Sequence, residues 1–138
     1  MAARDIFLDT NGWFALLSAD DSLHIEAEAL WRKVHRENRP VVLTDWIVAE
    51  TGNGLARTPQ RLKFPEAIRR ISLTPRVRFV FITSILMTRA LELYEQRPDK
   101  TWGLVDCASF IVMSDEGITD AFTTDHHFAQ AGFVLINQ

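Results

Sequence analysis

The segment IFLDTNGWFALLSA, residues 6–19, decides how the rest of the chain is read. Ile6, Phe7 and Leu8 form an apolar run without alternation, the pattern of a strand covered on both faces. Asp9 closes the run, and TNGWFALLSA follows at once as a helix. A strand that hands over directly to a helix is the repeating unit of a parallel sheet. Similar strand-like runs recur at VVL (41–43), VRFVFI (77–82), AFTT (121–124) and FVLI (133–136). Between them Leu23, Ala27, Leu30 and Val34 repeat at helical spacing, as do Leu62, Ile68 and Ile71. Ser84 is a candidate cap for a helix carrying Ile85, Leu86, Ala90, Leu93 and Tyr94. Pro59 suits a helix start, while Pro40 and Pro75 stand just before strands. The expected architecture is a three-layer α/β/α sandwich around a mostly parallel sheet, one domain over residues 1–138.

A chain of 138 residues, 47% hydrophobic and 24% charged, can bury a core without disulfides or structural metal. The longest apolar run, within residues 101–113, is broken by Asp106, so no segment is expected to span a membrane. The start Met-Ala-Ala-Arg-Asp leads directly into a strand, which leaves no room for a signal peptide. A single cysteine, Cys107, excludes an internal disulfide framework and Cys-based zinc, and suits a reducing cytoplasm.

Net charge is −3, but it is unevenly spread. Residues 1–30 hold Asp5, Asp9, Asp20, Asp21, Glu26 and Glu28 against Arg4. Residues 57–78 hold Arg57, Arg61, Lys63, Arg69, Arg70, Arg76 and Arg78 against Glu66. An acidic body with one basic segment suits a protein that holds cations in one place and a polyanion in another; a solvated helix face is the plainer alternative.

The acids stand at informative positions. Parallel sheets bind ligands at the carboxyl ends of their strands, where Asp9 ends IFLD and Asp125 ends AFTTD. Asp106 interrupts the apolar helix in TWGLVDCASFIVM (101–113), between Thr101 as N-cap and Gly117 as stop. Glu50 closes the apolar stretch DWIVAE. Each has an ordinary structural reading: a cap for Asp9 and Asp125, a dipole-facing acid for Asp106, an exposed stripe for Glu50. Together they suggest a carboxylate cluster for a hard divalent cation, Mg²⁺ or Mn²⁺. No Gly-rich phosphate loop follows the first strand, and no Ser–His pair has the setting of a nucleophile. The adjacent His126 and His127 diverge, leaving His126 to solvent and His127 free to turn towards the acids.

At FLDTNGW, VAE, RPDKTWGLVDCASFIVM and AFTTDHHFAQAGF the chain resembles PIN-domain ribonucleases, and within them the VapC-type toxins of bacterial toxin–antitoxin pairs. The resemblance spans nearly the whole chain. It implies a PIN-like fold and metal-dependent hydrolysis of RNA, with the family's acids falling on Asp9, Glu50, Asp106 and Asp125. Thr10, Asn11, Thr124 and His127 would support them, and Arg57, Arg61, Lys63, Arg69 and Arg70 would contact RNA phosphates. A cognate antitoxin and a homodimer are implied as well. Trp13, Trp31, Trp46 and Trp102 are candidates for the dimer interface, with core packing the commoner role for any single one. Gly103 stands where relatives often carry serine.

Two other readings compete. Asp9-Thr10-Asn11-Gly12 echoes the start of haloacid-dehalogenase-type phosphatases, but Asn11 replaces the carboxylate their acid–base step needs. A non-catalytic RNA- or protein-binding module of the same fold is the other.

Overall fold

Strand β1 (Ile6–Leu8) lies at the centre of the sheet, and its three side chains are wholly buried. The computed structural model describes residues 4–137; the Met1–Ala3 start, read above against a signal peptide, lies outside the described residues. Along the chain follow α1 (Thr10–Leu17), α2 (His24–Arg36), β2 (Val41–Thr44), α3 (Asp45–Leu55), α4 (Lys63–Ser72) and β3 (Val77–Val80). Then come α5 (Ser84–Gln96), α6 (Leu104–Glu116), β4 (Asp120–Phe122), α7 (His126–Gln130) and β5 (Val134–Leu135). Among the described residues no helix is long and apolar enough to cross a membrane.

The sheet order is β3-β2-β1-β4-β5, and all pairings are parallel. Ile6 stands opposite Val41 on one side and Asp120 on the other. From β1 the chain winds outward through β2 to β3, then returns past β1 to β4 and β5. Right-handed crossovers in opposite directions place their helices on opposite faces. The helix contacts agree: α1 packs with α2, α3 and α4, while α6 packs with α5 and α7. This is the expected three-layer sandwich. The direction of winding reverses between β1 and β4, so a crevice opens beyond the carboxyl ends of those two strands.

Two glycines position the crevice. A Cβ on Gly12 would come within 2.2 Å of the Phe122 carbonyl, so glycine lets α1 lie directly against the end of β4. Gly117 ends α6 at φ 69°, a left-handed conformation that glycine adopts without penalty.

Several local expectations shift. Thr83, not Ser84, caps α5, accepting from the Leu86 N–H at 3.2 Å. Ile85 and Tyr94 face solvent, while Leu86, Ala90 and Leu93 turn inward. Pro59 lies in the turn after α3, and α4 begins only at Lys63. The N-cap of α6 is Gly103; Thr101 serves elsewhere. None of the four tryptophans is exposed: Trp13 and Trp102 are core residues, and Trp31 and Trp46 pack against the core. They therefore lend a dimer interface no support.

Candidate active site

Asp9 follows β1 immediately and is 4% exposed. It occupies the N-cap position of α1, yet its side chain makes no capping bond. The carboxylate instead turns across to β4, where the Thr123 hydroxyl lies 2.8 Å from Oδ2. Asn11 fixes the same junction, its Oδ1 accepting from the Thr124 N–H at 2.8 Å and the Thr124 hydroxyl at 2.9 Å. Thr10 is buried beside them, 3.4 Å from the Thr51 hydroxyl of α3. A polar clasp thus ties the end of β1 to the end of β4.

Asp106 enters from the opposite face, in the first turn of α6. The middle of that helix is buried, including Cys107, Ala108, Phe110, Val112 and Met113, and this fixes where Asp106 points. Its Oδ2 accepts from the Gly103 N–H at 3.1 Å and lies 3.1 Å from His127 Nδ1. Asp125 caps α7 by accepting from the His127 N–H at 3.0 Å, and His127 Nδ1 is 3.5 Å from the same carboxylate. His127 Nε2 meets the Thr101 hydroxyl at 3.1 Å. Buried Phe128 anchors the short helix that carries the histidine.

Ligand atoms of Asp106, Asp125 and His127 lie within 4.8 Å of one another. Asp9 belongs to the same electrostatic group. Burial pushes its carboxyl up to about 7, helped by the charges of Asp106 and Asp125 and opposed by the Thr123 hydrogen bond. Asp106 is raised by burial too, with Asp125 adding to the shift and Gly103 and His127 opposing it. Among the described residues, the one basic side chain within ion-pair reach of these carboxylates is His127. Such a cluster lacks positive charge, and oxygen donors of this kind fit a hard divalent cation. Asp106, Asp125 and His127 offer the converging ligand atoms, and Asp9 lies within reach of the charges of both acids. The Cys107 thiol is no competitor: it is buried and pushed up, which keeps it protonated.

Glu50 does not join this group. It is exposed on α3 and belongs neither to the converging ligand atoms nor to the charges that raise Asp9 and Asp106. His126 is exposed, as expected, while His127 turns in. Thr123 and Thr101 escaped the sequence reading. Thr123 passed for part of a strand, and Thr101 for a cap.

The basic segment is dispersed. The last turn of α4, with Arg69 and Arg70, precedes β3 and so sits towards the amino edge of the sheet, away from the acids. Arg70 pairs with Glu66 at 2.7 Å, and Arg61 donates to the Ala56 carbonyl at 2.9 Å. Lys63 opens α4, and Arg57 lies in the preceding turn.

A parallel sheet in this order, with acids gathered at its switch point, is the arrangement of a PIN domain, and the PIN-domain family model matches residues 6–134. The chain belongs to that family. Within it the chain falls with the VapC toxins: it is 36% identical over 133 residues to the 23S rRNA-specific endonuclease VapC20 of Mycobacterium tuberculosis, covering 95% of this chain and 97% of that protein. The crystal structure of Mycobacterium tuberculosis VapC20, a sarcin–ricin loop cleaving toxin, matches with a TM-score of 0.81 and 32% identity over 94% of this chain and 96% of that one. FitAcB from Neisseria gonorrhoeae matches with a TM-score of 0.67 over 94% of each chain; at 18% identity that likeness is one of fold.

Proposed function

We propose that this chain is a metal-dependent endoribonuclease that hydrolyses RNA phosphodiester bonds as the toxin of a toxin–antitoxin pair. One observation carries the reading: ligand atoms of Asp106, Asp125 and His127 converge within 4.8 Å at the switch point, and Asp9, from a third segment, feels the charges of both acids. The three carboxylates would hold Mg²⁺ or Mn²⁺. A bound divalent ion supplies an activated water and offsets charge on the non-bridging phosphate oxygens. The chain's own part is orientation. Thr123 and Asn11 set the Asp9 side of the site, Gly103 and His127 aim Asp106, and Thr10 and Thr124 line the junction. Glu50, exposed on α3, would act only at the outer margin.

Ribosomal RNA of the large subunit is the first substrate to examine, given the relative's 23S rRNA target. The decisive experiment incubates the purified chain with total bacterial RNA. Cleavage that requires added Mg²⁺ or Mn²⁺ and stops with EDTA supports the reading, and sequencing the new ends identifies the substrate. Intact RNA under all metal conditions rejects it. A small antitoxin is the expected protein partner, and the buried lone thiol suits a reducing cytoplasm.

The chain is also proposed to form a homodimer. Phe81, just after β3, and Ile85, Met87 and Leu91 along α5 are each at least 41% exposed, and apolar surface of this kind marks interaction sites. Light scattering at micromolar concentration should give twice the monomer mass. A mass of 15.8 kDa would remove the claim.

A further inference from the structure

A second cavity adjoins the acids, walled by the end of α5, residues 97–103 and the start of α6. Its volume, about 510 Å³, lies within the range of small-ligand sites. Tyr94 stands on its wall, 54% exposed. Trp102 is buried beneath, its indole N–H donating to Gln130 Oε1 at 2.9 Å. Arg97 lies 5.2 Å over the Trp102 ring and is gripped by Asp99 through two bonds of 2.9 Å. Lys100 is held more loosely, its Nζ 3.9 Å from Asp99 with no hydrogen bond between them, and Glu95 stands on the same wall. The cavity therefore presents an accessible aromatic ring and a loosely paired ammonium group.

Gly103 forms the wall towards the acids. Its backbone N–H holds Asp106, and a Cβ built on it would meet only Asp106 Oδ2, at 4.0 Å. No side chain at this position stands between the cavity and the carboxylate.

We infer that this cavity is a subsite for one unpaired nucleotide of the RNA substrate, with its base against Tyr94, its phosphate at Lys100, and the path to the cleavage centre left open by Gly103. The inference rests on the nuclease reading and adds where the strand is held. Single-stranded RNA is recognised through splayed bases stacked on aromatic side chains, with cations along the backbone.

The test measures anisotropy of a short fluorescein-labelled single-stranded oligoribonucleotide with the full chain in EDTA, so that binding is read apart from cleavage. Tyr94→Ala should weaken binding roughly tenfold, whereas Tyr94→Phe, which keeps the ring, should bind like the parent. Lys100→Ala should weaken binding and lower the log–log salt slope by about 0.7. Gly103→Leu introduces no backbone strain, since its φ is −76°, so it should fold with only the modest loss a leucine N-cap brings, yet bind the probe poorly. If the parent cuts total bacterial RNA with Mg²⁺ but does not hold the probe, or if all four variants bind alike, the subsite is overturned and the nuclease reading stands. A parent that neither holds the probe nor cuts RNA removes both.

Discussion

Asp106 shows how one side chain carries a structural and a chemical role together. As a first-turn acid of α6 it accepts the Gly103 N–H, a favourable use of the helix dipole. It also lies beside Asp125 and raises Asp9, which no cap requires. Asp106→Asn keeps the shape and removes the charge, so cleavage should fall at least ~100-fold while folding is preserved; cleavage at the parent's rate would refute its role as ligand. Asp9 sets the pH behaviour of the metal-free protein. Its carboxyl is about 7 when folded and about 3.9 when unfolded, so the folded state binds the extra proton between those values. Stability from this group is therefore lost as pH rises from about 4 to about 7. Melting in EDTA should show the parent gaining on Asp9→Asn as pH is lowered towards 5, and the variant gaining on the parent towards pH 8. The acids were legible in the sequence because each ended a strand-like run or broke an apolar one. Their separation was not: Glu50 looked equivalent to Asp106 until α3 presented it to solvent. Thr123 and Thr101 were hidden because a threonine beside a strand or before a helix has a ready local explanation.

Elements were easier to read than their ends. All five strand-like runs contain strands; the central β1, β2 and β4 are fully buried, while the edge strands β3 and β5 are covered only in part. The caps moved by one or two residues, because Thr83 competes with Ser84, and Gly103 can act through its backbone alone. Helix α4 tests how far an element's charge reaches. Arg69 and Arg70 lie in its last turn, towards the amino edge, so they can hold a distant part of a long RNA but not the phosphate being cut. Changing both to Ala should weaken RNA binding across sequences and lower the single-strand salt slope by about 0.7 per lost contact. The rate at saturating RNA should stay that of the parent. An unchanged slope would assign α4 to an ordinary solvated face.

At the scale of the molecule, the site is a consequence of winding direction. Residues 9, 106 and 125 meet only because the chain reverses course between β1 and β4 and sends α6 across the opposite face. The unfolded chain has no such site, so a divalent cation binds the folded state preferentially and must stabilise it. The gathered charges sharpen the effect. Two carboxylates about 5 Å apart repel by roughly 3 kcal/mol at an effective dielectric near 20, and partial protonation, visible in the raised Asp9 and Asp106, relieves part of that cost. At ten times its dissociation constant, Mg²⁺ or Mn²⁺ should add about 1.4 kcal/mol, worth roughly 3–7 °C in melting temperature for a domain of this size. Asp106→Asn, with one repelling charge removed, should be at least as stable as the parent in EDTA and nearly insensitive to added metal. Scanning both proteins across a metal titration separates the alternatives. If the acids were unrelated caps, parent and variant would melt alike at every concentration. If they form one site, the parent's curve climbs with metal while the variant's stays level, and the two cross.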